Sequence, residues 1–257
     1  MSDALLEVSG ITMRFGGLKA VDNLSFTLKK GQLGGLIGPN GAGKTTVFNM
    51  LTGVYRPTHG DVKLGGRSMV GLRPYQISHH GLTRTFQNIR LFKNLSVLNN
   101  VLIATHQHAR TGLWAAVARN QAFRKEDREM RERALDLLKI FKLDGKADEQ
   151  AGSLPYGQQR QLEIVRAMAT QPKVILLDEP AAGMNHSETH SLMETIARIR
   201  QDFQLTVLLI EHDMKLVMGI CENIVVLDHG VKIEEGAPER IRSSPKVIEA
   251  YLGVEEE

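Results

Sequence analysis

Short, wholly apolar runs alternate along this chain with longer stretches of helical period, and the runs end in glycine or in acidic residues. Leu33-Gly34-Gly35-Leu36-Ile37 runs straight into a glycine-rich loop, and Thr45 to Val54 reads as the helix that follows it. Val174 to Leu177 and Leu205 to Ile210 are continuous β-prone runs, which suits strands buried on both faces of a mostly parallel sheet. The stretch between them, Ser187 to Arg200, has the length and period of a crossover helix. The alternation predicts an α/β fold.

Two stretches depart from that rhythm. Leu6 to Leu28, and then Gly60 to Leu64, are glycine-rich with short alternating segments, which predicts a small antiparallel β subdomain on one edge. Lys93 to Thr170 reads as almost wholly helical, and Asp127 to Leu143 carries Ala134, Leu135, Leu138 and Phe141 on one face. The expectation is a single domain over 1–257. Within it, an α/β core spans 1–92 and 171–235, an inserted helical subdomain 93–170, and a helical tail 236–257. Thr105 to Lys125, basic and poorly patterned, is expected to be a loop with short helices. Two further strands are expected at Ile224 to Leu227 and Val231 to Glu234, before a tail that ends in Glu255-Glu256-Glu257. No repeat at solenoid period is visible.

Composition narrows the class. Hydrophobic residues are 42% and charged residues 24% of 257, an ordinary globular balance that argues against disordered and fibrous architectures. A net charge of +3 is too mild to imply nucleic acid. A single cysteine, Cys221, excludes an internal disulfide framework and fits a reducing compartment. No apolar run approaches the roughly 18 residues of a membrane span, and Met1-Ser2-Asp3 lacks the basic and apolar regions of a signal peptide. The expectation is a soluble chain that reaches a membrane only by docking.

The chemistry centres on Gly38-Pro39-Asn40-Gly41-Ala42-Gly43-Lys44-Thr45, which matches the P-loop pattern with a strand before it and a helix after it. Its glycines let consecutive N–H groups turn inward onto phosphate oxygens, and the positive end of the following helix points at the same spot. Gly38 to Thr46 is therefore the expected ATP-binding stretch. Lys44 is expected to reach the β- and γ-phosphates, and the Thr45 hydroxyl to ligate Mg²⁺. Asp178 and Glu179 close the apolar strand at the end where a parallel sheet opens its ligand crevice. Asp178 is expected to hold Mg²⁺, and Glu179 to orient or deprotonate the attacking water. His212 follows its strand in the same way, within Glu211-His212-Asp213, and is expected to read the γ-phosphate.

Taken in order, the P-loop, Gln87 in Thr85-Phe86-Gln87-Asn88, Leu154-Pro155-Tyr156-Gly157-Gln158-Gln159-Arg160, Leu176-Leu177-Asp178-Glu179-Pro180 and His212 resemble the nucleotide-binding subunit of an ABC transporter. That resemblance implies a P-loop NTPase with a RecA-like core and covers nearly the whole chain. Arg84 to Phe92, Pro180 to Asn185 and the ending Ala250-Tyr251-Leu252-Gly253 look like the ATPase of branched-chain amino acid importers. The segment Thr105 to Lys125 resembles the longer, G-type subunit of that importer's two ATPases. The resemblance implies that Phe15 stacks on adenine and that Gln87 touches Mg²⁺ or water and senses the membrane subunit. It further implies that Gly157 and Gln158, with a helix starting near Gln158, close on a nucleotide held by the opposing subunit.

Two departures stand out. Pro155-Tyr156 replaces the family's usual Ser-Gly and removes a donor, which predicts weaker ATP binding at the composite site, by about 1.5–3 kcal/mol for a charge-assisted bond. Asn185 stands where aspartate is usual and is expected to accept a hydrogen bond across the dimer without carrying charge. The implied partners are a second ATPase subunit, identical or similar, and two transmembrane permease subunits on whose cytoplasmic side the chain would dock. A solute-binding protein would be reached indirectly. Rival readings are a cassette for another solute or for lipid, and a nucleotide-gated module of DNA repair or translation. Against the latter, Arg128, Arg131 and Arg133 interleave with Glu126, Asp127, Glu129 and Glu132, as on a solvated helix face, so no nucleic acid partner is expected.

Overall fold

The computed structural model describes residues 4–108 and 121–252. β1 (Ala4–Phe15) and β2 (Leu18–Lys29) form a long antiparallel hairpin. Along β2, buried Leu24, Phe26 and Leu28 alternate with exposed neighbours, the period-2 pattern of a sheet with one wet face. β4 (His59–Leu64) and β5 (Arg67–Ser68) complete a four-stranded sheet in the order β2-β1-β4-β5.

The second sheet is six-stranded and contains β3 (Leu33–Ile37), β6 (Leu82–Arg84), β7 (Val174–Asp178), β8 (Thr206–Ile210), β9 (Asn223–Asp228) and β10 (Val231–Gly236). Its order is β10-β9-β3-β8-β7-β6, and every pairing is parallel except the β9–β10 hairpin. β3, β7 and β8 are buried at every position because the sheet has a core on each side. Val174, Leu176, Leu208 and Ile210 face the antiparallel sheet and α1 (Lys44–Leu51). Ile175, Leu177, Val207 and Leu209 face the helices. The carboxyl ends of β3, β8 and β7 lie side by side, with Asp178 opposite Ile210, and this places the strand-end residues in one crevice.

The helices are α2 (Pro74–His80), α3 (Val97–Thr105), α4 (Gln121–Ile140), α5 (Tyr156–Ala169), α6 (His186–Asp202), α7 (Met214–Ile220), α8 (Pro238–Arg242) and α9 (Pro245–Leu252). The apolar face expected on α4 is present: Ala134 and Leu138 are wholly buried, Phe141 just past its end is nearly so, and Leu135 is half-buried. These residues join Val97 and Val101 of α3 and Leu162 and Val165 of α5 in the same cluster as the sheet's inner face. Gln121 to Lys125, expected in a loop, belong to the first turns of the long α4. The rest of that basic stretch, 109–120, lies outside the described residues, as do Gly253 and the acidic end. α1 closes earlier than the sequence suggests, where the Thr52 hydroxyl turns back onto the Phe48 carbonyl at 2.7 Å. No helix among the described residues is long and apolar enough to cross a membrane.

Candidate functional site

The glycine-rich loop joins β3 to α1, and the first turn of α1 opens to solvent with Thr45 exposed and Thr46 half-buried. Gly38 is irreplaceable on steric grounds: a Cβ there would stand 2.1 Å from the Leu227 carbonyl oxygen. Backbone packed so closely leaves Pro39, Asn40, Gly41 and Ala42 to turn over the helix end, with Asn40 and Gly41 exposed, and Gly43 caps α1 in a left-handed conformation. Lys44 folds back over the loop and donates to the carbonyls of Gly38 at 2.6 Å and Pro39 at 2.8 Å. Partial burial lowers its pKa below that of an ordinary lysine, and the carboxylates of Glu179 and Asp178 oppose that shift.

The acidic residues sit across the crevice. Asp178 is buried at the end of β7, and its Oδ2 accepts from Arg84 Nη2 at 2.6 Å. The same guanidinium donates through Nη1 to Asn49 Oδ1 at 2.6 Å and lies between the rings of Phe48 and Phe86. Glu179 takes a left-handed φ of 45°, rare for a residue with a side chain, and its N–H bonds to the Ile210 carbonyl at 2.9 Å. That turn throws its carboxylate toward Gln87, whose Nε2 donates to Oε2 at 2.8 Å. His212 Nδ1 stands 4.0 Å from the same oxygen and 3.9 Å from Glu211, and its ring is largely exposed. Glu211 is buried and accepts from the Ala181 N–H at 3.0 Å, and burial pushes its pKa above the usual carboxylate range.

The chain therefore brings Lys44, Asp178, Glu179, Gln87 and His212 to one crevice. Phe15, at the end of β1, is half-exposed and meets Tyr55 edge-on, with ring centroids 5.3 Å apart. α5 begins at Tyr156, two residues before the expected start, with Pro155 as a cap that offers no side-chain bond. Gly157 and Gln158 lie in its first turn, and Gln158 Oε1 accepts from Lys146 at 2.9 Å. Asn185 caps α6: its Oδ1 accepts from the Glu188 N–H at 3.0 Å while the Glu188 carboxylate accepts from the Asn185 N–H at 3.0 Å.

Several residues here escaped the sequence reading. Glu211 could have been found, because it follows β8 just as Glu179 follows β7. Arg84 and Asn49, and Arg160 inside α5, gave no signal, since Asp178, Arg84 and the Phe86 and Gln87 carbonyls that they meet are distant in the chain.

A loop of this kind on a doubly covered parallel sheet defines a P-loop NTPase, and solved structures agree. The structure is similar to a nucleotide-free ATP-binding cassette from an ABC transporter at 32% identity, covering 96% of this chain and 98% of that one with a TM-score of 0.83. It is also similar to the ADP conformation of an ATP-binding cassette of an ABC transporter at 31% identity, covering 98% and 100% with a TM-score of 0.85. The family model for the ABC transporter matches residues 21–182, and the model for the branched-chain amino acid ATP-binding cassette transporter matches 231–257. The chain belongs to the ABC transporter family, in its branched-chain amino acid branch. It is 51% identical to the high-affinity branched-chain amino acid transport ATP-binding protein BraF of Pseudomonas aeruginosa, over 98% of this chain and 99% of the relative. The LivG protein of the same description from Escherichia coli K12 is 50% identical over the same shares. The probable LivG protein of Archaeoglobus fulgidus is 35% identical over 98% and 96%.

Proposed function

We propose that this chain is the ATP-binding and ATP-hydrolysing motor subunit of an importer of branched-chain amino acids. The observation that carries the reading is the convergence of Lys44, Asp178, Glu179, Gln87 and His212 on one crevice beside an exposed helix N-terminus. The N–H groups from Gly38 to Thr46 and the Lys44 ammonium take the phosphates of ATP, which requires Lys44 to leave the carbonyls of Gly38 and Pro39. Phe15 offers a half-exposed ring to the adenine. Thr45, Gln87 and Asp178 supply the hard oxygen donors that suit magnesium, which when bound offsets the charge of the terminal phosphates.

Glu179 accepts the proton of the attacking water as its oxygen bonds the γ-phosphorus and the bond from that phosphorus to the β–γ bridging oxygen breaks, releasing ADP and phosphate, and the Gln87 amide holds the carboxylate in position. His212, within reach of Glu179, contacts the γ-phosphate. Gly157 and Gln158, in the first turn of α5, face the nucleotide of a second ATPase subunit. The helical segment 93–170 passes the resulting motion to two transmembrane permease subunits, with the chain peripheral on the cytoplasmic face and a solute-binding protein delivering cargo from the other side. The test is Glu179→Gln in the full chain. ATP hydrolysis collapses while ATP-driven association of subunits persists, and turnover near wild type refutes the assignment.

A further inference from the structure

Tyr156 stands where the family resemblance puts glycine, and the structure gives its side chain two jobs. Its ring lies against Gly183, where a Cβ would come within 2.9 Å of Cε1, so the segment that follows Glu179 rests on it. Its hydroxyl meets Arg160 Nη2 at 3.3 Å. Arg160 is wholly buried, one turn further along α5. Its Nη2 donates to the Gln87 carbonyl at 2.6 Å, and its Nη1 to the Phe86 carbonyl at 2.7 Å and Glu163 Oε2 at 3.1 Å. Glu163 Oε1 in turn accepts from the N–H groups of Phe86 and Arg90, both at 3.4 Å. Arg166, lower on the same helix, donates to the Arg90 carbonyl and lies over Phe92.

One helix thus grips both the carbonyls and the amides of residues 86–90. The planar guanidinium fixes two successive carbonyls at once, a geometry no flexible ammonium reproduces. A buried ion pair is a poor source of stability against an apolar alternative, and Arg160 Nε has no partner here. The arrangement costs stability and confers position. What it positions is Gln87, whose side chain holds Glu179.

We propose that Arg160, braced by Tyr156 and Glu163, is a positioning residue that fixes Gln87 against Glu179, so that the start of α5 and the hydrolytic end of the same chain move as one piece. A nucleotide pressing on the first turn of α5 from a partner subunit is thereby felt at this chain's own Glu179. The inference rests on the proposed role of Glu179.

Two variants of the full chain test it, each read by amide hydrogen exchange over residues 86–92 and by steady-state ATP hydrolysis. Arg160→Lys keeps a charge beside Glu163 and so protects the fold. Arg160→Met with Glu163→Met removes both members of the buried pair together, so that neither is left as a lone charge, while Arg166 keeps its bond to the Arg90 carbonyl. In both, exchange over 86–92 quickens and kcat falls roughly 10- to 100-fold, the cost of an ångström-scale misplacement. KM for ATP stays within about twofold, because the loop from Gly38 to Thr46 is untouched. Tyr156→Phe, which loses only the hydroxyl, gives a smaller change in the same direction. Unchanged exchange, unchanged kcat, or a rise in KM alone overturns the proposal. A wild-type chain that turns over no ATP would instead refute the proposed function, and the exchange measurement would still judge the clamp.

Discussion

Arg84→Met isolates the least anticipated contact of the crevice. Arg84 and Asp178 are 2.6 Å apart with side chains 6% and 5% exposed, so neither has water to fall back on. Removing the guanidinium strands a buried carboxylate and deprives Asn49 of its donor. Breaking a buried pair from one side costs about 3–5 kcal/mol, out of a total fold stability of roughly 5–15 kcal/mol. For a chain of this size each kcal/mol lowers Tm by about 2–4 °C, which places the drop at roughly 6–20 °C. Urea titration followed by far-ultraviolet circular dichroism measures the free energy directly. Adding Asp178→Asn removes the stranded charge, so the double variant recovers most of the loss. A single variant within about 1 kcal/mol of wild type, the range of an exposed pair, would refute the reasoning, as would a double variant no better than the single.

Glu211→Gln reports on the raised pKa of that buried acid. The folded state holds the Glu211 proton to higher pH than the unfolded chain, so its contribution is full below the ordinary value of 4.5 and lost as pH climbs through the raised one. The glutamine variant escapes that loss, and its Tm relative to wild type rises across the same window; a pH-independent difference contradicts the shift. Asn185→Ala removes the cap of α6 and costs about 1 kcal/mol in a chemical denaturation experiment; no change means the bond is not made in solution. Gly38→Ala drives a methyl group into the Leu227 carbonyl and costs more than ~1 kcal/mol. Titration with a fluorescent ATP analogue should then show weakened binding, and wild-type affinity would mean the loop is slack.

The sheet was legible because β3, β7 and β8 are short and apolar throughout, a pattern that only burial on both faces produces. The phosphate loop was legible because its function is written in contiguous backbone and one lysine. Boundaries were less so: the early turn of α4 over Gln121 to Lys125 is basic and lacks a clear stripe, and α5 starts at Tyr156 because Pro155 already supplies the turn. The capping box of Asn185 and Glu188 is local, and its spacing of three residues is readable in the sequence. Arg84 and Arg160 were silent for a deeper reason. Each joins segments more than seventy residues apart, and a charged residue in a sequence reads as surface until its partners are known.

The cluster that lines the inner face of the central sheet runs without a break into α3, α4 and α5. These helices therefore have no dry joint at which to swing; any displacement slides interlocked side chains across the sheet, in the manner of shear. Of the methionines in that cluster, Met168 on α5 and Met193 on α6 are buried, and Met184, Met214 and Met218 pack on its rim. Unbranched thioethers re-seat themselves at small cost where leucine or isoleucine would jam. Branched aliphatics in place of these methionines would make that packing less able to re-seat.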